Sequence, residues 1–461
     1  MAARLLGIDI GTTGVRAAVF DDAGVMLADA SVECPYDAPR PGWAEIDPER
    51  WWAAAGAALG KLDRAVTSAV DAIAVVGQAP TAVLLGSARP AILWLDTRAE
   101  AEARALGIPA YYLGPKLDWA KAHGHLDGVT AIVQSHAYLT YRLTGELATD
   151  PSTAALCLPF FDLATRQWSG TTYPFPPIRA AHAILGQVRA NSFGLREGTP
   201  VVAGGGDFAA ATLGAGVVAE GEACLMLGTA GNLLVPRRTP GQDPRLINAH
   251  HVGSDAWLSL GGTLSGGAQE WLRKTLGGVP HAELDAEAAR IAPGAESLLF
   301  LPYLQGERTP IWDTEARGTF TGLGLNHGRA HLWRALLEGI ALSFVDCQEV
   351  LESDGGVRLR EVTAANGGGK SALFRQILCD ALGVPLEYTP VSGGTVAGAA
   401  MLAALGIGAL ASVADAKKWR GEVIRHTPSA EAHARYRALL PVRRALYESL
   451  KQTQSKLTSF R

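Results

Sequence analysis

The sequence has little cysteine, no surplus of basic charge and no zinc-protease histidine motif, and each shortage closes off a class of protein. Five cysteines in 461 residues, Cys34, Cys157, Cys224, Cys347 and Cys379, lie far apart, and none forms a C-x-x-C pair. An odd, scattered set in a long chain reads as reduced thiols, not as a disulfide framework or a zinc site. The 41 basic and 45 acidic side chains leave a formal net charge of −4, the wrong sign for a protein that lives on nucleic acid. Neither an H-E-x-x-H motif nor a G-x-S-x-G nucleophile elbow is present. Met1 to Asp9 carries no apolar segment followed by a cleavage site, so a cytoplasmic protein is expected. One uncharged stretch, residues 388–414, has the length of a membrane span. It is built mainly of Ala and Gly and opens on the turn-like Pro390-Val-Ser-Gly-Gly-Thr395, so a tightly packed buried helix is expected there and no membrane partner.

Apolar residues (48%) and glycine (53) are plentiful, enough to form a core and without the period of collagen. The length admits about two to four domains. Leu5–Ile10, Val15–Phe20 and Val25–Val32 read as strands separated by the turns Gly11-Thr-Thr-Gly14 and Asp21-Asp-Ala-Gly24. Asp47-Pro48 opens a helix, and Ala72–Gly77 is a further buried strand. The pattern restarts at Pro200-Val-Val-Ala-Gly-Gly-Gly-Asp207, followed by Ala223–Leu227, a turn at Gly228-Thr-Ala-Gly231, and Asn232–Pro236. Near the end Glu361–Ala365 runs into Asn366-Gly-Gly-Gly-Lys-Ser371 and a helix. Alternating strands and helices predict an α/β fold. Two Gly-Thr hairpins predict a duplicated unit with a cleft between the copies, divided as 1–217 and 218–461.

Asp9, ahead of a small hydroxylated turn, is placed to hold a metal-bound water while Gly11, Thr12 and Thr13 approach phosphate oxygens. Arg16 adds positive charge, and Gly228 with Thr229 supplies a matching turn. The glycines at 204–206 bare the end of a strand before Asp207, which starts an Ala-rich helix. Asp207 reads both as an N-cap and as an ionised carboxylate able to accept a hydroxyl proton. Asn366-Gly-Gly-Gly-Lys-Ser371 could admit a nucleotide, but its spacing is not that of a Walker A motif. His250-His251 reads as a loop or substrate-facing pair.

These motifs resemble one family over nearly the whole chain. Leu6-Gly-Ile-Asp-Ile-Gly-Thr-Thr13, Pro41-Gly-Trp-Ala-Glu-Ile-Asp-Pro-Glu-Arg-Trp-Trp52, Leu93-Trp-Leu-Asp-Thr-Arg98, Tyr141-Arg-Leu-Thr-Gly-Glu146, Gly204-Gly-Gly-Asp207, Leu301-Pro-Tyr-Leu-Gln-Gly-Glu-Arg-Thr-Pro310 and Asn366-Gly-Gly-Gly369 stand in the order seen in the FGGY carbohydrate kinases, and most resemble the xylulokinase branch. The resemblance implies two ribonuclease-H-like, actin-like ATPase domains around a cleft, and Mg²⁺- and ATP-dependent phosphorylation of a sugar hydroxyl. D-xylulose or a related ketopentose is the expected substrate. It further implies Asp207 as catalytic base, Asp9 near the metal, and Gly11, Thr12, Thr13, Arg16, Gly228 and Thr229 at phosphate. Gly367, Gly368 and Ser371 are implied at the nucleotide, and Gln78, Trp94, Asp96 and Trp43 at the sugar. A homodimer is compatible with it. The chain departs from the family where xylulokinases show Gly-Gln-Met-His-Gly and it has Gly77-Gln-Ala-Pro-Thr81. Glycerol kinases place Arg-Glu directly after the matching Gln, where Ala79 and Pro80 stand here. Residues 98–112 form a shortened segment, and Ser135-His136 replaces the common Lys-Asp. The alternatives are an FGGY kinase for ribulose, a pentitol, erythritol or gluconate, and a nucleotide-gated protein like actin or a heat-shock chaperone's ATPase domain.

Overall fold

The apolar run at the N-terminus forms the centre of a mixed sheet. The computed structural model describes residues 2–190, 192–390, 393–458 and 460. Strand Arg4–Ile10 pairs antiparallel with Gly14–Asp21 and parallel with Ala72–Gly77. The turn between the first two closes through the Gly11 N–H donating to the Gly14 carbonyl at 2.9 Å, with Asp9 opposite Arg16. Met26–Glu33 adds an edge strand whose residues alternate between exposed and partly buried, leaving one face to solvent. Ala72–Gly77 is buried at every residue, as a strand covered on both faces must be. Beyond it lie Pro200–Val202, parallel, and Ile184–Gln187, antiparallel. Gly205–Gly206 continues along Ala72–Gly77 and places Gly206 opposite Gly77.

Helix Pro48–Gly60 begins as the sequence predicts, with Asp47 accepting the Glu49 N–H at 3.0 Å and Pro48 in the first turn. The uncharged stretch forms helix Thr395–Gly406, which packs on Arg4–Ile10 and on helix Asp207–Gly214. Among the described residues no helix is long and apolar enough to cross a membrane. Small residues let these elements approach. A Cβ at Gly7 would meet the Val396 carbonyl, one at Gly398 the Ala210 carbonyl, and one at Gly214 the Gly394 carbonyl. Val391 and Ser392, in the predicted turn ahead of this helix, lie outside the described residues.

The chain divides into two compact units, and not by a single cut. The first comprises Met1–Val218, Asn248–Leu258 and Ser392–Arg420; the second comprises Ala219–Ile247, Ser259–Val391 and Gly421–Arg461. In the second, Glu222–Leu227 pairs antiparallel with Ala230–Arg237 and parallel with Glu361–Ala365, followed by Leu386–Tyr388 and the antiparallel Ile424–His426. This repeats the centre of the first sheet: a strand, a glycine turn, an antiparallel return, and a parallel neighbour on the other side. Helices Arg329–Ser353 and Ala372–Leu382 bury Trp333, Phe344 and Phe374 in the second unit's core.

Candidate active site

Strand register brings three predicted residues together. Ile10, Gly77 and Gly206 lie side by side across the parallel strands, so Asp9, Gln78 and Asp207 meet at the carboxyl end of the first sheet. That end is where α/β sheets bind ligands. The Gln78 N–H fixes the junction by donating to the Ile10 carbonyl at 2.9 Å.

Electrostatics there is dominated by burial. The Asp9 carboxyl is pushed up to about 8, first by desolvation and then by the negative charge of Asp207, with Arg16 opposing. Its Oδ1 is buried and has no hydrogen-bond partner among the described residues. Asp207 is pushed up to about 6 by burial, opposed by backbone N–H groups, including that of Phe208, which donates to Oδ1 at 2.7 Å. The N-cap of this helix is Gly206, and Asp207 is its first helical residue. Burial therefore outweighs the helix start that alone would hold Asp207 at an ordinary carboxylate pKa.

The first hairpin borders an open cavity of about 290 Å³ lined by Asp9, Gly11, Thr13 and Arg16. Thr13 is exposed, while the Thr12 hydroxyl accepts a hydrogen bond from Trp94 Nε1 at 3.1 Å. Arg16 pairs with Asp29 on the edge strand at 2.9 Å, both side chains exposed.

The predicted sugar residues fall into two groups. Gln78 is 1% exposed, and neither Oε1 nor Nε2 has a hydrogen-bond partner among the described residues. Trp94 stands edge-on to Tyr111 with ring centroids 6.2 Å apart, and the Tyr111 hydroxyl donates to the Ala79 carbonyl at 3.4 Å. Asp96, by contrast, is committed within the protein. Its oxygens accept from Arg98 Nε and Nη2 and from the Ala44 N–H at 2.6 Å. Arg98 also pairs with Glu45 at 2.8 Å and lies 3.6 Å over the Trp43 ring. Asp96 and Trp43 are thus two sides of one Arg98-centred cluster. The sequence motif ends on Arg98, but it assigns no role to Arg98 or to Tyr111. His250 and His251 hold the Leu163 and Val217 carbonyls, at 3.0 and 3.2 Å, and so brace loops.

In the second unit, the Gly228 turn closes through the Gly228 N–H donating to the Ala230 carbonyl at 3.1 Å and leaves Thr229 exposed. Residues 366–371 pack on the end of the same strand: a Cβ at Gly368 would lie 2.8 Å from Leu227 Cβ. Gly228, Thr229, Gly367 and Gly368 accordingly gather at one end of the second sheet. The Ser371 hydroxyl is an N-cap, accepting the Phe374 N–H at 3.0 Å, and Gly367–Lys370 is a 3₁₀ turn rather than part of the helix.

Models of the FGGY family of carbohydrate kinases match residues 4–214 (N-terminal domain) and 223–407 (C-terminal domain). Xylulose kinase of Escherichia coli (strain K12) is 32% identical over 96% of this chain and 99% of its own length. Glycerol kinase of Bordetella parapertussis is 31% identical over 91% of this chain and 92% of its own. The crystal structure of xylulose kinase from Rhodospirillum rubrum, 33% identical, superposes with a TM-score of 0.87 over 98% of this chain and 99% of that one. With two repeated α/β units and these relatives along nearly its full length, the chain belongs to the FGGY family of carbohydrate kinases, phosphotransferases that act on a sugar hydroxyl with ATP.

Proposed function

We propose that this kinase phosphorylates a ketopentose of the D-xylulose type, with Asp207 as general base. The observation that carries the reading is the meeting of Asp9, Gln78 and Asp207 at one sheet end, where Asp207 is pushed up to about 6. Such a carboxylate is mostly ionised at neutral pH and more basic than an ordinary one, as a proton acceptor should be. Asp207 takes the proton of the sugar hydroxyl while that oxygen bonds to the γ-phosphorus and the bond from phosphorus to the ADP oxygen breaks. Gln78 offers the sugar both a donor and an acceptor, and Trp94 with Tyr111 offers an apolar wall. Asp96, two residues past Trp94, and Trp43 are joined by Arg98 on the neighbouring loop. Gly11, Thr12, Thr13, Gly228 and Thr229 present N–H groups and hydroxyls to phosphate, Arg16 adds charge, and Gly367, Gly368 and Ser371 border the nucleotide.

Asp9 suits Mg²⁺. Its buried, unpartnered oxygen is costly without a cation, and its raised pKa is the response expected of a carboxylate lacking one. Bound Mg²⁺ supplies charge neutralisation at the phosphates. The full-length xylulose kinase relatives support the choice of sugar. Glycerol is the second reading, favoured by the Bordetella relative and opposed by Ala79-Pro80 after Gln78. The reading also places the protein in the cytoplasm without nucleic-acid or membrane partners, and is compatible with a homodimer. Coupled ADP release over ketopentoses, pentitols, glycerol, erythritol and gluconate tests it. Turnover should be highest with a pentulose, and activity confined to gluconate or glycerol would contradict the assignment.

A further inference from the structure

Beneath the glycine loop that carries Asp207 lies a buried polar cluster, outside the residues assigned to sugar, phosphate or metal. Asp150, 1% exposed, ends the chain segment before the short helix Pro151–Ala154 and caps it, accepting the Ser152 N–H at 2.8 Å. The same carboxylate accepts the Ser152 and Thr153 hydroxyls, the latter at 2.5 Å. Ser152 Oγ in turn accepts the N–H of Gly206, the residue directly ahead of Asp207, at 3.1 Å. Asp150 is also packed against the glycines: a Cβ at Gly205 would lie 3.1 Å from Asp150 Oδ2, and one at Gly206 would lie 3.2 Å from Thr153 Cγ2. His136 Nε2 stands 3.4 Å from Asp150 Oδ1, and burial keeps that imidazole below its usual pKa.

Three successive glycines, with Gly204 at φ +79°, have no side chains to hold their own conformation. Neighbouring segments hold them instead: the Gly204 N–H donates to the Ala181 carbonyl at 2.9 Å, and Gly205–Gly206 lies between the ladder to Ala72–Gly77 and Ser152. A hydroxyl that donates to a carboxylate becomes a better acceptor on its remaining lone pair, so Asp150 strengthens the Ser152–Gly206 bond. We propose that Ser152, braced by Asp150, is a positioning residue of the phosphoryl transfer, setting the Gly206 peptide and hence the aim of the Asp207 carboxylate. The inference rests on Asp207 being the base. Misaiming a reacting group by a fraction of an ångström lowers turnover without weakening substrate binding.

The test is a kinetic cycle on the full chain with the preferred sugar and MgATP, measured where circular dichroism finds every variant folded. Ser152→Ala should lower kcat about tenfold while both KM values stay within about twofold. It should cause no further loss in an Asp207→Asn background, because the two act through one group. Wild-type kcat in Ser152→Ala, or an equal further loss on top of Asp207→Asn, would overturn the inference. Near-normal turnover of Asp207→Asn alone would overturn the base assignment and this inference with it. An inactive Asp207→Asn beside a fully active Ser152→Ala overturns only the tether.

Discussion

Asp9, proposed to hold Mg²⁺, is held between two demands, since that role needs its charge and the fold shuts its Oδ1 away from water. Its carboxyl, pushed up to about 8, lies far above the ordinary value of 3.8, with Asp207 adding repulsion. A folded-state pKa raised in this way favours folding of the protonated form. The corresponding stability is fully present below about pH 4 and is lost as pH rises toward 8. Asp9→Asn removes that loss. Without nucleotide or Mg²⁺, the variant should exceed the wild type in stability by at least about 1 kcal/mol at pH 8, a margin that shrinks toward pH 4. Urea unfolding at the two pH values checks this, and a variant less stable than wild type at pH 8 would contradict the electrostatic account. Asp9 was legible in the sequence because a carboxylate next to a Gly-Thr turn is a local pattern. The commitment of Asp96 to the Arg98 cluster was not, because Ala44 and Glu45 reach that cluster only by folding across a loop.

Helix Thr395–Gly406 shows how an element's composition is set by its neighbours. Its glycines and alanines sit against the central strand and against Asp207–Gly214, where backbone carbonyls of adjacent helices come within reach of any added carbon. Gly398→Val should therefore cost about 3 kcal/mol or more by overpacking against Ala210. Because the displaced helix begins at Asp207, kcat should fall as well. Thermal melting followed by circular dichroism measures the first effect and ADP release the second; a variant melting with the wild type would show that the contact is not tight. The strand runs, the glycine turns and the Asp47 cap could be read from sequence, each being a pattern within a few residues. The tether from Ser152 to Gly206 could not, since its partners lie 54 residues apart and the glycine run names no partner for its N–H groups.

Across the molecule, one architectural unit is used twice, each copy placing a glycine turn at the end of a central strand. The repeat was visible in the two Gly-Thr turns. The return of residues 392–420 to the first unit was not, because nothing in their own composition names the sheet they cover. Beyond the shared turn the copies have diverged. The first carries the carboxylates Asp9 and Asp207 and the amide of Gln78; the second carries the glycine-rich loop at residues 366–371. This division of labour makes Asp207 the residue on which the account depends. Sugar-dependent ADP release by Asp207→Asn, compared with wild type at neutral pH, tests it most directly. The account predicts a fall of about 10² to 10⁴ in kcat, and turnover within a few-fold of wild type would contradict it.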